Sequence, residues 1–205
     1  HLHLSIRRQR QMCIETGVLV STHSQLPSEA DLHRVAEQLG RTPRGVVAIS
    51  YRTPDGEPAV VMTVPRLPDG TPFPTLYYLT EPRLVAQASR MEASHLMKDM
   101  TERLHTDPQL QANYQAAHQH YLDKRNSMED LGTNFSGGGM PDRVKCIHVL
   151  MAYALSEGPG VVLLGDEAVA RAADEGGLRG TAIPKDWPTL ADLGITDALT
   201  DMGVN

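Results

Sequence analysis

Cysteine, aromatic side chains and positive charge are all in short supply in this 205-residue chain. There are two cysteines, Cys13 and Cys146, alongside one tryptophan, two phenylalanines and six tyrosines. Two thiols cannot build a thiolate zinc site unaided. With Cys13 in the N-terminal segment no disulfide framework is expected, which points to a reducing, cytoplasmic compartment. At 4% aromatic content the chain lacks the exposed rings on which single-stranded nucleic acid stacks. Lys and Arg number 19 against 25 Asp and Glu, a formal net charge of -6. That balance argues against sequence-independent nucleic-acid binding through phosphate backbones. Long apolar runs are missing as well: none approaches the roughly 20 residues that cross a bilayer, so no membrane partner is expected. Arg7, Arg8 and Arg10 imitate the basic start of a signal peptide. The Gly17–Val20 stretch behind them is far shorter than an apolar region of about 7–15 residues.

What is present is ordinary globular material. Hydrophobic residues make up 40%, enough at this length for one domain with a real core. Residues 1–27 are expected to be a flexible arm, 28–175 a single α+β domain, and 176–205 a loop-rich tail with a short helix. Ser28-Glu29-Ala30-Asp31 reads as a helix start. Leu32, Val35, Ala36 and Leu39 follow at helical spacing, and Gly40 is a natural stop. Val46–Arg52, Ala59–Val64 and Thr75–Thr80 read as strands. The turn Thr53–Pro58 and a proline-rich loop, 65–74, separate them. A small three-stranded antiparallel meander packed with four to six helices is therefore predicted. One helix should run from a Thr80 cap to about Leu104. The next starts at Asp107-Pro108, with Leu110, Tyr114, Ala117, Tyr121 and Met128 on one face. A third is expected over Pro141–Glu157 and a short one over Asp166–Glu175.

The densest chemistry lies in Gly137-Gly138-Gly139-Met140-Pro141-Asp142-Arg143-Val144-Lys145-Cys146-Ile147-His148. On a regular helix from Pro141, Val144, Cys146, Ile147, Leu150, Met151, Tyr153, Ala154 and Leu155 share one wide buried arc. Lys145, His148 and Ser156 lie opposite. Cys146 and His148 then project about 200° apart and cannot hold one metal, so no metal or other cofactor is expected. Arg143 points into the apolar arc, where a buried guanidinium needs a carboxylate, carbonyl oxygens or an anionic ligand. With Gly137, Gly138 and Gly139 allowing close backbone approach and free amides at the helix start, Asp142, Arg143 and Lys145 outline a site for a small anionic or phosphorylated ligand. Two plainer roles stand beside it: Asp142 caps the helix, and Arg143 pairs with an acid elsewhere.

Other residues carry weaker signals. Arg66 and Asp69 belong either to a rigid turn or to a wall of the binding site. Cys146 is a candidate nucleophile only if cations or a helix N-terminus depress its pKa, and two turns into a helix it reads as a buried thiol. His95, His118 and His120 fall on predicted helices, His118 for packing or a hydrogen bond. No Walker-type lysine-serine follows the glycines, so a P-loop is not supported.

Two stretches carry a family resemblance. Pro65-Arg-Leu-Pro-Asp-Gly-Thr-Pro-Phe-Pro-Thr-Leu-Tyr-Tyr-Leu-Thr80 and Gly138-Gly-Met-Pro-Asp-Arg-Val-Lys-Cys-Ile-His148 resemble the signature blocks of the actinobacterial domain of unknown function 501. The likeness extends over about residues 30–170, and the extended turn and Gly176–Ile195 look most like corynebacterial members. The resemblance implies no established activity. It implies a gene neighbourhood with a septum-formation initiator-like protein and an exopolyphosphatase. In many members a Cys-Pro-Cys-Gly turn and a cysteine after the third strand accompany the helix cysteine, a set suited to zinc. Thr53, Asp55 and Glu81 stand at those positions here, leaving Cys146 alone.

Three function classes follow. The first is a small-anion binder at Gly137–Lys145, with or without catalysis. The second is a non-enzymatic interaction protein of cell division or envelope processes, working through a protein partner. The third is a cysteine-dependent hydrolase using Cys146.

Overall fold

The computed structural model describes residues 24–67 and 69–195. Of the arm expected over 1–27, residues 1–23 lie outside the described residues, as does the end of the tail, 196–205. Helix α1 (Glu29–Leu39) starts as its sequence dictates. Ser28 Oγ accepts from the Asp31 amide at 3.1 Å, and Asp31 Oδ2 accepts in turn from the Ser28 amide at 3.0 Å. Gly40, at φ +64°, ends it in the left-handed region that only glycine enters freely.

Strands β1 (Val46–Arg52), β2 (Pro58–Thr63) and β3 (Tyr77–Leu79) form the expected antiparallel meander, in the order β1-β2-β3. Alternation sends successive side chains to opposite faces. Val46, Ile49 and Val61 meet Leu32 and Val35 of α1. Val47, Val60, Met62, Tyr77 and Leu79 face the larger core. The outer edge of β1 is met by Gln25, whose backbone exchanges bonds of 2.9 and 2.8 Å with Ile49.

The single long helix expected over 80–104 is two helices, α2 (Pro82–Ala93) and α3 (Leu96–Thr106). Ser94 divides them: its hydroxyl donates to the Met91 carbonyl at 2.7 Å and accepts from the Leu96 amide at 3.2 Å. Local side-chain bonds of this kind compete with the helical ladder. The cap of α2 is Glu81 rather than Thr80, through a 2.9 Å bond from the Leu84 amide. Helix α4 (Pro108–Met128) starts at the Asp107 cap as expected, with Tyr114, Ala117 and Tyr121 fully buried.

Helices α5 (Ile147–Glu157) and α6 (Leu163–Asp174) complete the fold. Helix α5 is buried nearly all round, the property of a central helix, and Ser156 is buried with it rather than exposed, 2.8 Å from Ser50 Oγ. Tyr77 stacks on Tyr153 with centroids 5.8 Å apart, and Tyr121 meets Tyr153 edge-on at 5.3 Å. Their hydroxyls are satisfied: Tyr121 accepts from the Leu76 amide at 2.6 Å and Tyr153 donates to the Ala117 carbonyl at 3.0 Å. This cluster ties β3, α4 and α5 together. Past Asp174 the described residues, which end at 195, hold turns and no helix. Leu178, Ala182, Ile183 and Trp187 pack into the main core.

Candidate functional site

The glycine run is built to fold onto its own chain. A Cβ on Gly137 would lie 2.7 Å from Val149 of α5, and one on Gly139 (φ +94°) 2.5 Å from the Arg143 carbonyl oxygen. The Lys145 amide donates to Gly138 O at 2.6 Å, Arg143 to Gly139 O and Met140 to Gly137 O, both at 3.2 Å. The Met140-Pro141 peptide is cis. These closures occupy residues 137–145, so the helix starts at Ile147 and not at Pro141.

That six-residue shift overturns the helical-wheel reading. Arg143 is exposed rather than buried, as are Asp142 and Lys145, and its guanidinium makes no hydrogen bond or ion pair among the described residues. It borders a shallow hollow of about 480 Å³ shared with His95, Lys98 and His105. The fully buried arginine is Arg125. Its guanidinium donates to the Phe135 carbonyl, to the Thr133 carbonyl at 2.9 Å and to Asn126 Oδ1 at 2.9 and 3.1 Å. Asp142 does not cap α5.

The start of α5 is held by an acid that no sequence motif marks. Glu92, in the last turn of α2, accepts through Oε1 from the Ile147 amide at 2.7 Å and the His148 amide at 3.4 Å. The positive end of a helix thus already faces a carboxylate. His148 Nδ1 lies 2.9 Å from the same oxygen, and its Nε2 lies 3.3 Å from Ser89 Oγ. Cys146, at the extended cap position with φ -152°, joins them. One ligand-type atom each from Glu92, Cys146 and His148 falls within 4.8 Å of the others. The expectation that Cys146 and His148 face apart assumed a regular helix through both. With Cys146 outside the helix, its thiol and the imidazole converge.

Burial opposes ionisation of Glu92, but His148, the Cys146 thiol and the Ile147 amide outweigh it and hold the carboxyl below its ordinary value. Burial and the Glu92 carboxylate push the Cys146 thiol up, although backbone amides of Val149 and His148 oppose the rise. A raised thiol pKa runs opposite to what a free cysteine nucleophile needs. A bound metal ion deprotonates such a thiol outright.

Cys146, His148 and Val149 form one wall of a cleft of about 600 Å³. Thr75 and Tyr77–Thr80 of β3 and its flanks, Pro82, Val85 and Ala86 of α2, and Gln38 and Leu39 of α1 form the rest. His148 is the single ionisable group besides the tyrosines and Cys146 in that lining. Gln38 donates to the Pro58 carbonyl at 2.9 Å, while its buried Oε1 has no partner.

The remaining sequence candidates do not join this cleft. Arg66 pairs with Glu129 at 2.7 Å and Asp69 with Arg44 at 2.5 Å, which makes their loop a braced turn. His118 Nδ1 sits 2.9 Å from Ser136 Oγ, and burial lowers its pKa. His120 Nδ1 lies 2.6 Å from the Tyr153 hydroxyl. Thr53, Asp55 and Glu81 gather at the opposite end of α2 from Glu92, about 16 Å away at 1.5 Å per residue. There Arg83 bridges Asp55 at 2.9 Å and Glu81 at 2.6 Å. The guanidinium holds the turn to the helix start where a zinc ion was implied for relatives.

Among the described residues no helix is long and apolar enough to cross a membrane. The profile of the family described as Protein of unknown function (DUF501) matches residues 49–170. No curated protein and no solved structure matches the chain.

Proposed function

Because the chain belongs to the DUF501 family, whose description names no reaction, we propose a function from its site: it binds a zinc ion through Glu92, Cys146 and His148 and uses it to hydrolyse a neutral substrate held in the adjoining cleft. The observation that carries this reading is the convergence of carboxylate, thiol and imidazole within 4.8 Å on the wall of a 600 Å³ cleft. Mixed nitrogen, sulfur and oxygen donors suit zinc better than magnesium or calcium, which take oxygen. Three protein ligands with a fourth position open are the pattern of catalytic rather than structural zinc. Bound water at such an ion ionises near pH 7, roughly, and supplies the nucleophile. The cleft offers no Lys, Arg, Asp or Glu side chain, which fits an uncharged substrate. Glu92 also orders the ligand set before metal arrives, since its bonds to the α5 amides fix where Cys146 and His148 stand.

Metal content tests it. Purified protein loaded with zinc and dialysed is expected to retain one equivalent, and Cys146→Ser and His148→Ala to retain little. Cobalt should give a thiolate charge-transfer band that Cys146→Ser abolishes. Equal retention by wild type and both variants would overturn the reading.

A second reading rests on Arg143. Exposed and unpaired beside His95, Lys98 and His105, it would suit a small anion docking on the surface of α3, away from the glycine loop. Thermal stabilisation by inorganic phosphate that Arg143→Ala removes is the expected sign, and an equal shift in both proteins would dismiss it.

A further inference from the structure

The cleft beside Glu92, Cys146 and His148 follows the open edge of the sheet, and this edge specifies a substrate class. In an antiparallel pair, hydrogen-bonded and non-hydrogen-bonded residue pairs alternate. The Thr80 amide bonds to Ala59 O and the Thr63 amide to Leu76 O, both at 2.9 Å. With Val61 opposite Tyr78, the bonded pairs are Ala59–Thr80, Val61–Tyr78 and Thr63–Leu76. Val60–Leu79 and Met62–Tyr77 are therefore the non-bonded pairs. The N–H and C=O of Leu79 and the C=O of Tyr77 point away from β2, toward the outer edge. No described strand pairs with that edge. Tyr77, Leu79, Cys146 and His148 all line the one cleft.

Resting on the zinc reading above, we propose that the substrate is an extended peptide segment that adds to the outer edge of β3 as a fourth strand, placing one of its backbone carbonyls at the metal. Strand addition takes affinity from main-chain bonds and tolerates varied side chains. The one donor and two acceptors that Leu79 and Tyr77 turn outward are complemented by one carbonyl and two N–H groups along one side of an extended peptide. The lining suits the peptide body: Leu39, Val85, Ala86 and Val149 offer apolar contact, and Gln38 and Thr75 polar contact without charge. In the reaction water adds to the peptide carbonyl carbon and the C–N bond breaks. The nitrogen leaves with a proton taken from that water, and the products are a carboxylate and an amine, protonated at neutral pH. No oxidant, reductant or second substrate is needed.

The test uses the full chain loaded with zinc and a pool of N-acetylated, C-amidated octapeptides with randomised alternate residues. Hydrogen exchange of the Leu79 amide is followed by NMR, and new peptide termini by mass spectrometry. Exchange at Leu79 slowed at least about tenfold, with internal cleavage lost in His148→Ala, is the expected result. The same pool N-methylated at alternate amides should produce neither effect. Bound zinc with unchanged Leu79 exchange and no new termini would overturn the peptide assignment and leave the metal centre standing. A chain that retains no zinc but protects Leu79 would overturn the metal reading and keep the docking edge. Equal protection by the N-methylated pool would show side-chain adhesion and sink strand addition.

Discussion

Glu92 Oε1 lies 2.7 Å from the backbone nitrogen of Ile147, 55 residues further along the chain, and closes the start of α5 with a carboxylate from α2. The same oxygen stands 2.9 Å from His148 Nδ1. One acid thus caps a helix and gathers a thiol and an imidazole.

Glu92→Ala should therefore cost stability as well as metal. Loss of a helix cap and its charge–dipole contact is worth about 1–2 kcal/mol. Urea denaturation with unchanged slope measures it. Glu92→Gln keeps an acceptor for the Ile147 amide, so it should recover most of the stability while zinc retention stays weak. Equal losses of stability in both variants would refute the capping role.

The two arginines singled out by burial and by sequence should behave in opposite ways. Arg125 is fully buried and donates to carbonyls of the 133–135 loop. Arg125→Ala removes the donor those partly buried carbonyls pair with and opens a cavity where the buried side chain stood, a loss of roughly 3 kcal/mol. Exposed Arg143 has no partner among the described residues, and Arg143→Ala should stay within about 0.5 kcal/mol. Thermal melts of the two variants decide the point.

Gly139 and Gly132 have the same kind of backbone but different surroundings. At Gly132 (φ +64°) an added Cβ meets nothing within 4 Å, so Gly132→Ala should cost only the left-handed strain of about 1 kcal/mol. At Gly139 the Cβ would lie 2.5 Å from the Arg143 carbonyl oxygen. Gly139→Ala must reopen the loop, and its loss should exceed that of Gly132→Ala by at least about 1 kcal/mol. Comparable denaturation midpoints would contradict the closed loop.

Asp166 gives the fold a pH dependence. It is buried, and burial raises its pKa to about 6 from 3.8, although a bond from the Gly160 amide opposes the shift. Its Oδ1 has no partner. The folded state therefore holds this proton more tightly than the unfolded chain. The contribution to stability is full below the unfolded value and is lost as pH rises through about 6. Asp166→Asn should flatten the profile between those limits. At pH 8 it should be more stable than wild type by on the order of 1–2 kcal/mol, read from urea denaturation. A wild-type profile flat from pH 4 to 7 would contradict this, and so would an unchanged difference between the two proteins.

The elements whose signals are local were legible in advance. Ser28 and Asp31 form their capping box, Asp107 caps α4, and β1 occupies Val46–Arg52 as its β-branched run implies. Errors arose where backbone closures and tertiary contacts overrode the apolar periodicity. Apolar spacing runs on from Val144 into α5, so Pro141 looked like a helix start. Only the closure of Gly138 and Gly139 onto Lys145 and Arg143 shows why the helix waits until Ile147. The site suffered most from this. Cys146 and His148 both stand out in the sequence, but a regular helix places them on opposite faces, whereas a cap residue and the second residue of a helix need not diverge. Glu92 had no signal at all, being one acid in an amphipathic helix of ordinary composition.

The sequence by itself determined the class of the fold, the three-stranded meander, most helix positions and the stretch that holds two of the three candidate ligands. Those properties depend on side-chain periodicity, capping and turn chemistry, which act over a few residues. The tertiary structure alone decided which arginine is buried, where α5 begins, and that Glu92 meets Cys146 and His148 beside the open edge of β3. The meeting at Glu92 depends on contacts between segments 50 or more residues apart, and the other two on loop closures spanning ten residues or fewer; side-chain periodicity encodes neither.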